Sequence, residues 1–240
     1  MLSAAFAGAM VMAAIGGVVR GVAGFGGAMV MTPTLSLLLG PIPAVLSALL
    51  LETFAAAPML PAAARLAHWR VIAPICVAAC ITVPLGGYLL VTIEPQLMRR
   101  AIAATVVVFS LLMLAGFRYV GRQRLGTSIA LGATSGILVG ATSVGAPPVI
   151  LYLLSGPDSL VVTRANLTLF VAIISFGTLA MLFSRGLLDP HNMLIALLLS
   201  PPYYFGIWLG GRLFGRISER LFRRWTLLFL VLVSGVVLVI

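Results

Sequence analysis

Long apolar segments follow one another along the whole chain, separated by short polar connections. They fall at about 3–20, 28–39, 41–63, 71–92, 101–117, 127–139, 147–155, 165–184, 191–209 and 225–240. A helix needs about 20 apolar residues to cross the hydrocarbon of a bilayer, and several segments reach that length. Helices satisfy their own backbone polar groups in lipid, whereas the polar–apolar alternation of a membrane β-barrel does not occur in this sequence. The pattern predicts an all-α, polytopic helical membrane protein.

The composition supports this interpretation, because 62% of the 240 residues are hydrophobic and only 8% are charged. A soluble domain carries about 25% charged residues. The net charge is +10 and every cation is an arginine. These arginines lie mostly in the short connections, where they orient spans and contact anionic lipid, so we expect membrane lipid and no nucleic acid as a partner. The N-terminal stretch lacks the basic region of a cleavable signal peptide and is expected to belong to the mature fold.

The second half of the chain repeats the first. Residues 85–100 match residues 209–224 at eight of 16 positions, with an offset of 124. Two earlier pairs of segments align in the same order, 16–28 with 135–147 and 39–54 with 155–170. We predict one integral membrane domain made of two transmembrane repeats, 1–120 and 121–240.

The arginine distribution favours opposite orientations for the two repeats. Loops rich in arginine stay on the cytoplasmic side of a membrane. If 65–70, 118–124 and 212–224 face the cytoplasm, ten arginines lie there, against three in 93–100 and 185–190. A parallel arrangement would place the arginine-rich segment 212–224 on the opposite side.

Inversion requires an odd number of crossings in each half. Segment 28–39 has twelve residues and would be about 18 Å long as a helix, too short to cross alone. Each half is therefore predicted as one broken or re-entrant helical hairpin, 3–39 or 127–155, followed by three transmembrane helices. Inverted repeats with broken helices are typical of secondary transporters, which bind substrate near the midplane where the breaks meet.

The predicted breaks are two glycine-containing runs at matched positions, 20–27 (RGVAGFGG) and 140–148 (GATSVGAPP). Glycine lets the backbone turn and come close to a ligand. A helix that starts after such a break presents free N–H groups and a positive dipole end to an anion, and Pro147 fits the first turn of a new helix. The alternative is that these glycines only permit close helix packing.

Ionisable side chains inside predicted spans are further candidates, because they are costly there unless they are paired or hydrated. Arg20 could neutralise an anionic substrate or be an interfacial arginine. Glu52 could exchange a proton during transport or pair with an arginine. Arg164 could be interfacial, the favoured interpretation, or bind substrate, and Tyr203 and Tyr204 are interpreted as members of an aromatic belt.

The chain resembles the TauE/SafE (TSUP) family of sulfite and organosulfonate transporters. The likeness rests on R-G-x-x-G-F-G-G at 20–27, on G-x-x-S-x-G-x-P-P at 140–148 and on the proline-linked spans that follow each run, and it extends over essentially all residues. It implies transport of small anions such as sulfite, thiosulfate or an organosulfonate across the bacterial inner membrane. It also implies that the two broken segments line the path.

We therefore predict a secondary transporter of a small anion that works by alternating access, with export as the expected direction and proton coupling through Glu52 left open. The candidate substrate-binding residues are Arg20, Gly21, Gly24, Phe25, Gly26, Gly27, Gly140, Thr142, Ser143, Gly145, Ala146 and Pro147. A passive anion channel is the main alternative, ahead of a membrane-embedded enzyme or assembly factor.

Motifs of other protein classes are missing from the sequence. It contains no phosphate-binding Walker loop, no HExxH or GxSxG motif and no cluster of metal-ligating residues. We expect no catalytic residue, no metal and no cofactor, and the chain itself does not couple transport to ATP. Homo-oligomerisation is left open.

Overall fold

A computed structural model describes residues 4–117, 119, 124–213 and 219–239, and within these ranges the chain forms helices joined by short turns. The helices are α1 (Ala4–Ala23), α2 (Gly27–Leu39), α3 (Pro41–Ala56), α4 (Leu60–Leu66), α5 (Trp69–Thr92), α6 (Pro95–Leu114), α7 (Leu125–Thr142), α8 (Ala146–Leu153), α9 (Leu160–Ser184), α10 (Pro190–Leu213) and α11 (Glu219–Val239). A short 3-10 turn, Ala57–Met59, joins α3 to α4.

Eight helical segments of this described part are long and apolar enough to cross a membrane, including α3 and α4 together as Pro41–Leu66. The prediction of an all-α, polytopic membrane protein is confirmed. The short helices α2 (13 residues) and α8 (eight residues) each follow a long helix, as expected for a broken hairpin. The connections 118–126 and 212–224, on which the predicted orientation depends, lie partly outside the described residues.

The chain leaves the helical conformation at both predicted breaks. Gly24 and Gly26 have φ angles of 80° and 91°, left-handed values that glycine adopts without strain. In the second half Ser143 has a φ of 58°, and it ends α7 while its N–H donates to the carbonyl of Val139. Neither interruption is a continuous helix, so α2 and α8 start anew with their own N-termini.

Helices α1 and α10 pack side by side through glycine. A methyl group at Gly17 would overlap the carbonyl oxygen of Tyr203, and one at Gly21 would overlap that of Ile207. A step of four residues along α1 thus matches a step of four along α10, so the two helices run in the same direction. Small residues are what allow two membrane helices to approach this closely.

Helices α5 and α7 form a second pair of the same kind. A methyl group at Gly136 would overlap the carbonyl oxygen of Ala79, and one at Gly140 would overlap that of Val83. The positions correspond to those of the first pair, at an offset of 119 for the glycines and 124 for the carbonyl partners. Helices α3 and α9, and likewise α6 and α11, pack against each other.

The outer surface of the molecule is apolar, and its charged centre is buried. Ile81, Phe176 and Phe183 are 73%, 69% and 72% exposed, which in water would be costly and in lipid is favourable. Arg20 and Glu52, in contrast, are buried between the helices. This inside-out distribution of polarity places the polar centre away from lipid.

Candidate functional site

A buried ion pair joins α1 to α3. Arg20 lies in the last turn of α1 and Glu52 in α3, and they are 6% and 4% exposed. Arg20 Nη1 lies 3.0 Å from Glu52 Oε2. Burying either charge alone would cost several kcal/mol, so each is stable here because the other is present. Of the two options for Glu52, pairing with an arginine is therefore observed.

The other carboxylate oxygen of Glu52 caps the start of α2. Oε1 accepts hydrogen bonds from the N–H of Ala28 at 3.1 Å and from the hydroxyl of Tyr203 at 3.0 Å. A helix N-terminus stabilises negative charge. Gly27 provides the space, because a Cβ there would lie 2.6 Å from Glu52 Oε1. The N-terminus of α2, where an external anion was expected, thus holds a carboxylate of the protein itself.

A small cavity, the inner cavity, lies beside this ion pair and between the two helix breaks. Its volume is about 40 Å³, which gives space for about three water molecules. The polar and break residues that line it are Arg20, Phe25, Gly26 and Glu52 from the first half and Ser143, Val144, Ala146, Pro147 and Ser175 from the second. The two breaks therefore meet at one site.

A hydrogen bond connects the two broken segments. The hydroxyl oxygens of Thr32, in α2, and Ser143, at the second break, are 2.8 Å apart, although the residues are 111 positions apart in the sequence. Ser143 also lines the inner cavity. The contact holds α2 against the end of α7 and keeps a hydroxyl group at the cavity wall.

Arg20 has one donor group that Glu52 does not use. Its Nη2 is buried and has no hydrogen-bond partner among the described residues. Leaving a buried donor unsatisfied costs about 1–3 kcal/mol, and more when the group is charged. Since Arg20 lines the inner cavity, an oxyanion bound there would satisfy this donor, and the planar guanidinium group suits such ligands.

The N-terminus of α8 offers fewer donors than that of α2. Ala146 is its first residue, and Pro147 and Pro148 follow. Proline has no N–H, so two of the four amide groups that a helix start leaves unpaired are missing here. The polar contribution of the second half to the inner cavity therefore comes mainly from the hydroxyls of Ser143 and Ser175.

The structure divides the predicted substrate-binding residues into three groups. Six line the inner cavity: Arg20, Phe25, Gly26, Ser143, Ala146 and Pro147. Gly21 and Gly24 line a neighbouring cavity, and Gly27 contacts the Glu52 carboxylate. The remaining three are Gly140, Thr142 and Gly145, none of which is among the residues that line either cavity.

Those three residues have structural contacts. Gly140 packs against α5. The hydroxyl of Thr142 donates to the carbonyl of Leu138 at 2.7 Å and accepts from the N–H of Val144 at 3.1 Å, so it shapes the turn after α7. Gly145 lies so close to α7 that a Cβ would be 2.9 Å from Val139 N. Close packing, the alternative interpretation of the glycines, describes these positions.

Sequence reasoning missed the contribution of Tyr203. It was assigned to an interfacial belt, but it is fully buried and donates to Glu52. Its adjacency to Tyr204 and to a proline pair favoured the interfacial interpretation, and no local pattern linked it to a residue 151 positions away. Thr32 and Ser175 were missed as well, because single hydroxyls in apolar segments give little signal.

The fold and the site together place the chain in one class of protein. It is a multi-pass helical membrane protein with a buried ion pair where two broken helices meet. The chain matches the model of the family described as sulfite exporter TauE/SafE over residues 9–237. It belongs to that family, whose members are transporters. No curated protein and no solved structure gives a significant match to the chain.

Proposed function

We propose that the protein is a secondary transporter that exports a small oxyanion of sulfur, such as sulfite or thiosulfate, or a small organosulfonate, across the bacterial inner membrane. The observation that carries the proposal is the unsatisfied, buried Nη2 of Arg20 beside a cavity that both helix breaks line. Family membership supports anion transport as the activity.

The inner cavity suits an ion of a few atoms. A volume of about 40 Å³ has room for about three water molecules, which is closer to the size of sulfite than to that of an extended organosulfonate. Arg20 supplies charge, and Ser143 supplies a hydroxyl. The low dielectric of a buried site strengthens both interactions.

Glu52 gives the site a means of coupling transport to protons. A carboxylate beside Arg20 repels a second anion, so an anion binds more tightly when Glu52 carries a proton. The titratable or charged groups that contact Glu52 in the described structure are Arg20 from α1 and Tyr203 from α10. Glu52→Gln, which mimics the protonated form, should bind sulfite more tightly and make its flux independent of pH.

We further infer that the two halves, 1–120 and 121–240, are inverted repeats that move by alternating access. The equivalent pairs α1–α10 and α7–α5 support a repeated architecture, because the first helix of each half packs against a helix of the other half at matched glycines. The arginine distribution in the loops supports the inversion. Each half would then carry one break to the shared site, as transporters with broken helices do.

Flux measurements in proteoliposomes test the proposal. Purified protein should accumulate radiolabelled sulfite or thiosulfate with saturation, and external unlabelled anion should stimulate efflux of the label. Arg20→Gln should abolish this flux, while Arg185→Gln, an exposed arginine at the end of α9, should preserve it. Flux that neither saturates nor shows counterflow would indicate a channel instead, and unchanged flux in Arg20→Gln would disprove the site.

A further inference from the structure

A second cavity, the outer cavity, adjoins Arg20 and Phe25 and has a volume of about 210 Å³. Gly24, Met59 and Arg164 line it and are exposed, so the outer cavity reaches the surface of the protein. It lies between the end of α1 and the beginning of α9. Arg20 and Phe25 also line the inner cavity, so the two spaces are neighbours.

Two arginines line the outer cavity, Arg20 and Arg164, one from each half of the chain. Arg20 is paired with Glu52, whereas Arg164 is exposed at the surface. A guanidinium group at the mouth of a recess raises the local concentration of anions and speeds their arrival, an effect that salt weakens. Arg164, interpreted from sequence as interfacial, thus contributes to a concave basic surface that leads toward the ion pair.

Phe25 lines both cavities, and its two neighbours in the chain are glycines. Its neighbours Gly24 and Gly26 both have positive φ. A Cβ at Gly24 would meet nothing within 4 Å, and one at Gly26 would meet only a side-chain carbon of Val19 at 3.9 Å. Phe25 itself is partly buried and packs against the hydrophobic core, so a change in its side-chain position would alter the boundary between the two cavities.

The equivalent position in the second half is packed differently. Val144, which matches Phe25 at the offset of 119, is 1% exposed. A methyl group at the following residue, Gly145, would overlap the carbonyl oxygen of Ser135. Val144 lines the inner cavity as Phe25 does, but only Phe25 also lines the outer cavity, so the outer cavity adjoins the inner one on the Phe25 side.

We propose that the outer cavity is a separate anion-binding site through which the substrate enters, with Arg164 as a recruiting residue and Phe25 as the gate to the inner cavity. The ligand class is a small oxyanion, and this inference rests on the function proposed above. An anion first binds at Arg164, then passes the Phe25 ring and accepts a hydrogen bond from Nη2 of Arg20.

The recruiting residue is tested by initial rates of sulfite uptake at low and high salt. Arg164→Gln should raise KM at low salt about tenfold, the effect of one lost charge-assisted hydrogen bond, and leave kcat unchanged because Arg164 does not line the inner cavity. The difference in KM should shrink at high salt. Arg185→Gln, at the exposed residue that directly follows α9, is the matched control and should keep the wild-type KM. An unchanged KM in Arg164→Gln would overturn the outer site.

The gate is tested by efflux with and without external sulfite. Phe25→Ala should raise efflux without external anion to the rate seen with it, because the inner cavity then stays open to the outer one. Phe183→Ala, which removes an exposed ring from α9, should keep the wild-type ratio of efflux with external sulfite to efflux without it. If Phe25→Ala does not fold, as judged by thermal melting, Phe25→Leu provides the test and should show a partial loss of this ratio. A wild-type ratio in the folded variant would overturn the gate.

These outcomes separate the inference from the function on which it rests. Loss of flux in Arg20→Gln together with wild-type behaviour of the Arg164 and Phe25 variants would contradict the outer site and the gate but agree with the proposed transport function. Full flux in Arg20→Gln would contradict the proposed function and the further inference together.

Discussion

The ion pair between Arg20 and Glu52 makes a quantitative prediction about stability. The two side chains are 3.0 Å apart and buried, so Arg20→Gln leaves a buried carboxylate without its cation and Glu52→Gln leaves a buried cation without its carboxylate. Removing one partner of a buried pair costs about 3–5 kcal/mol. At about 2–4 °C per kcal/mol for a chain of this size, each single variant should melt roughly 10 °C below the wild type.

The double variant should behave differently from the sum of the single variants. Two amides can hydrogen-bond each other and leave no buried charge, so Arg20→Gln/Glu52→Gln should lose no more than the less stable single variant. The coupling energy of the double-mutant cycle should then be on the order of 3 kcal/mol. Melting is followed by circular dichroism or tryptophan fluorescence in one detergent at one pH. Losses that add in the double variant would refute the pairing of these two side chains.

Three further predictions use other parts of the structure. Gly210→Ala should lower the melting temperature, because its methyl group would meet the backbone of α1, whereas Gly211→Ala, with nothing within 4 Å, should be neutral or stabilising. Tyr203→Phe should cost about 1.5–3 kcal/mol of stability, since a hydrogen bond to a charged group is lost. Met59→Cys, in a background without native cysteines, should react with a membrane-impermeant maleimide from the cytoplasmic side, because 65–70 is the arginine-rich loop next to it along the chain.

Each of these three predictions would be contradicted by a particular result. Equal melting of the two glycine variants would mean that α1 and α10 do not pack as described. A wild-type melting temperature in the tyrosine variant would mean that its hydroxyl does not hold Glu52. Labelling of Met59→Cys only from the outside would reverse the predicted orientation.

The helical breaks could be predicted from the sequence because their causes are local. Glycine runs at 20–27 and 140–148 interrupt apolar segments, and the repeat showed that the interruptions are equivalent. Length also decided that residues 28–39 could not cross a membrane. These arguments use only periodicity, segment length and backbone freedom, which depend on neighbouring residues.

Which glycines line the inner cavity and which only allow close helix packing could not be predicted in this way. Gly26 lines the inner cavity, whereas Gly140 packs against α5 and Gly145 against α7. All three have the same local appearance in the sequence, and which helix lies beside each is a tertiary property. The repeat was informative about position but not about role, because the second break carries Pro147 and Pro148 where the first carries amide donors.

The sequence offered pairing with an arginine as one of two options for Glu52, but which arginine lies beside it is a tertiary property that local reasoning does not give. In the proposed mechanism an anion in the inner cavity binds Nη2 of Arg20, while Glu52 holds Nη1 and the N-terminus of α2, so two negative charges share one guanidinium group. A site with Arg20 alone would bind an anion tightly and release it slowly. A carrier must bind its substrate on one side of the membrane and release it on the other. Because a carboxylate repels an anion bound to the same guanidinium group, ionised Glu52 would favour release in this mechanism, and a proton on Glu52 would favour binding. Under this proposal, the buried carboxylate is the feature that would let the site release its anion as well as bind it.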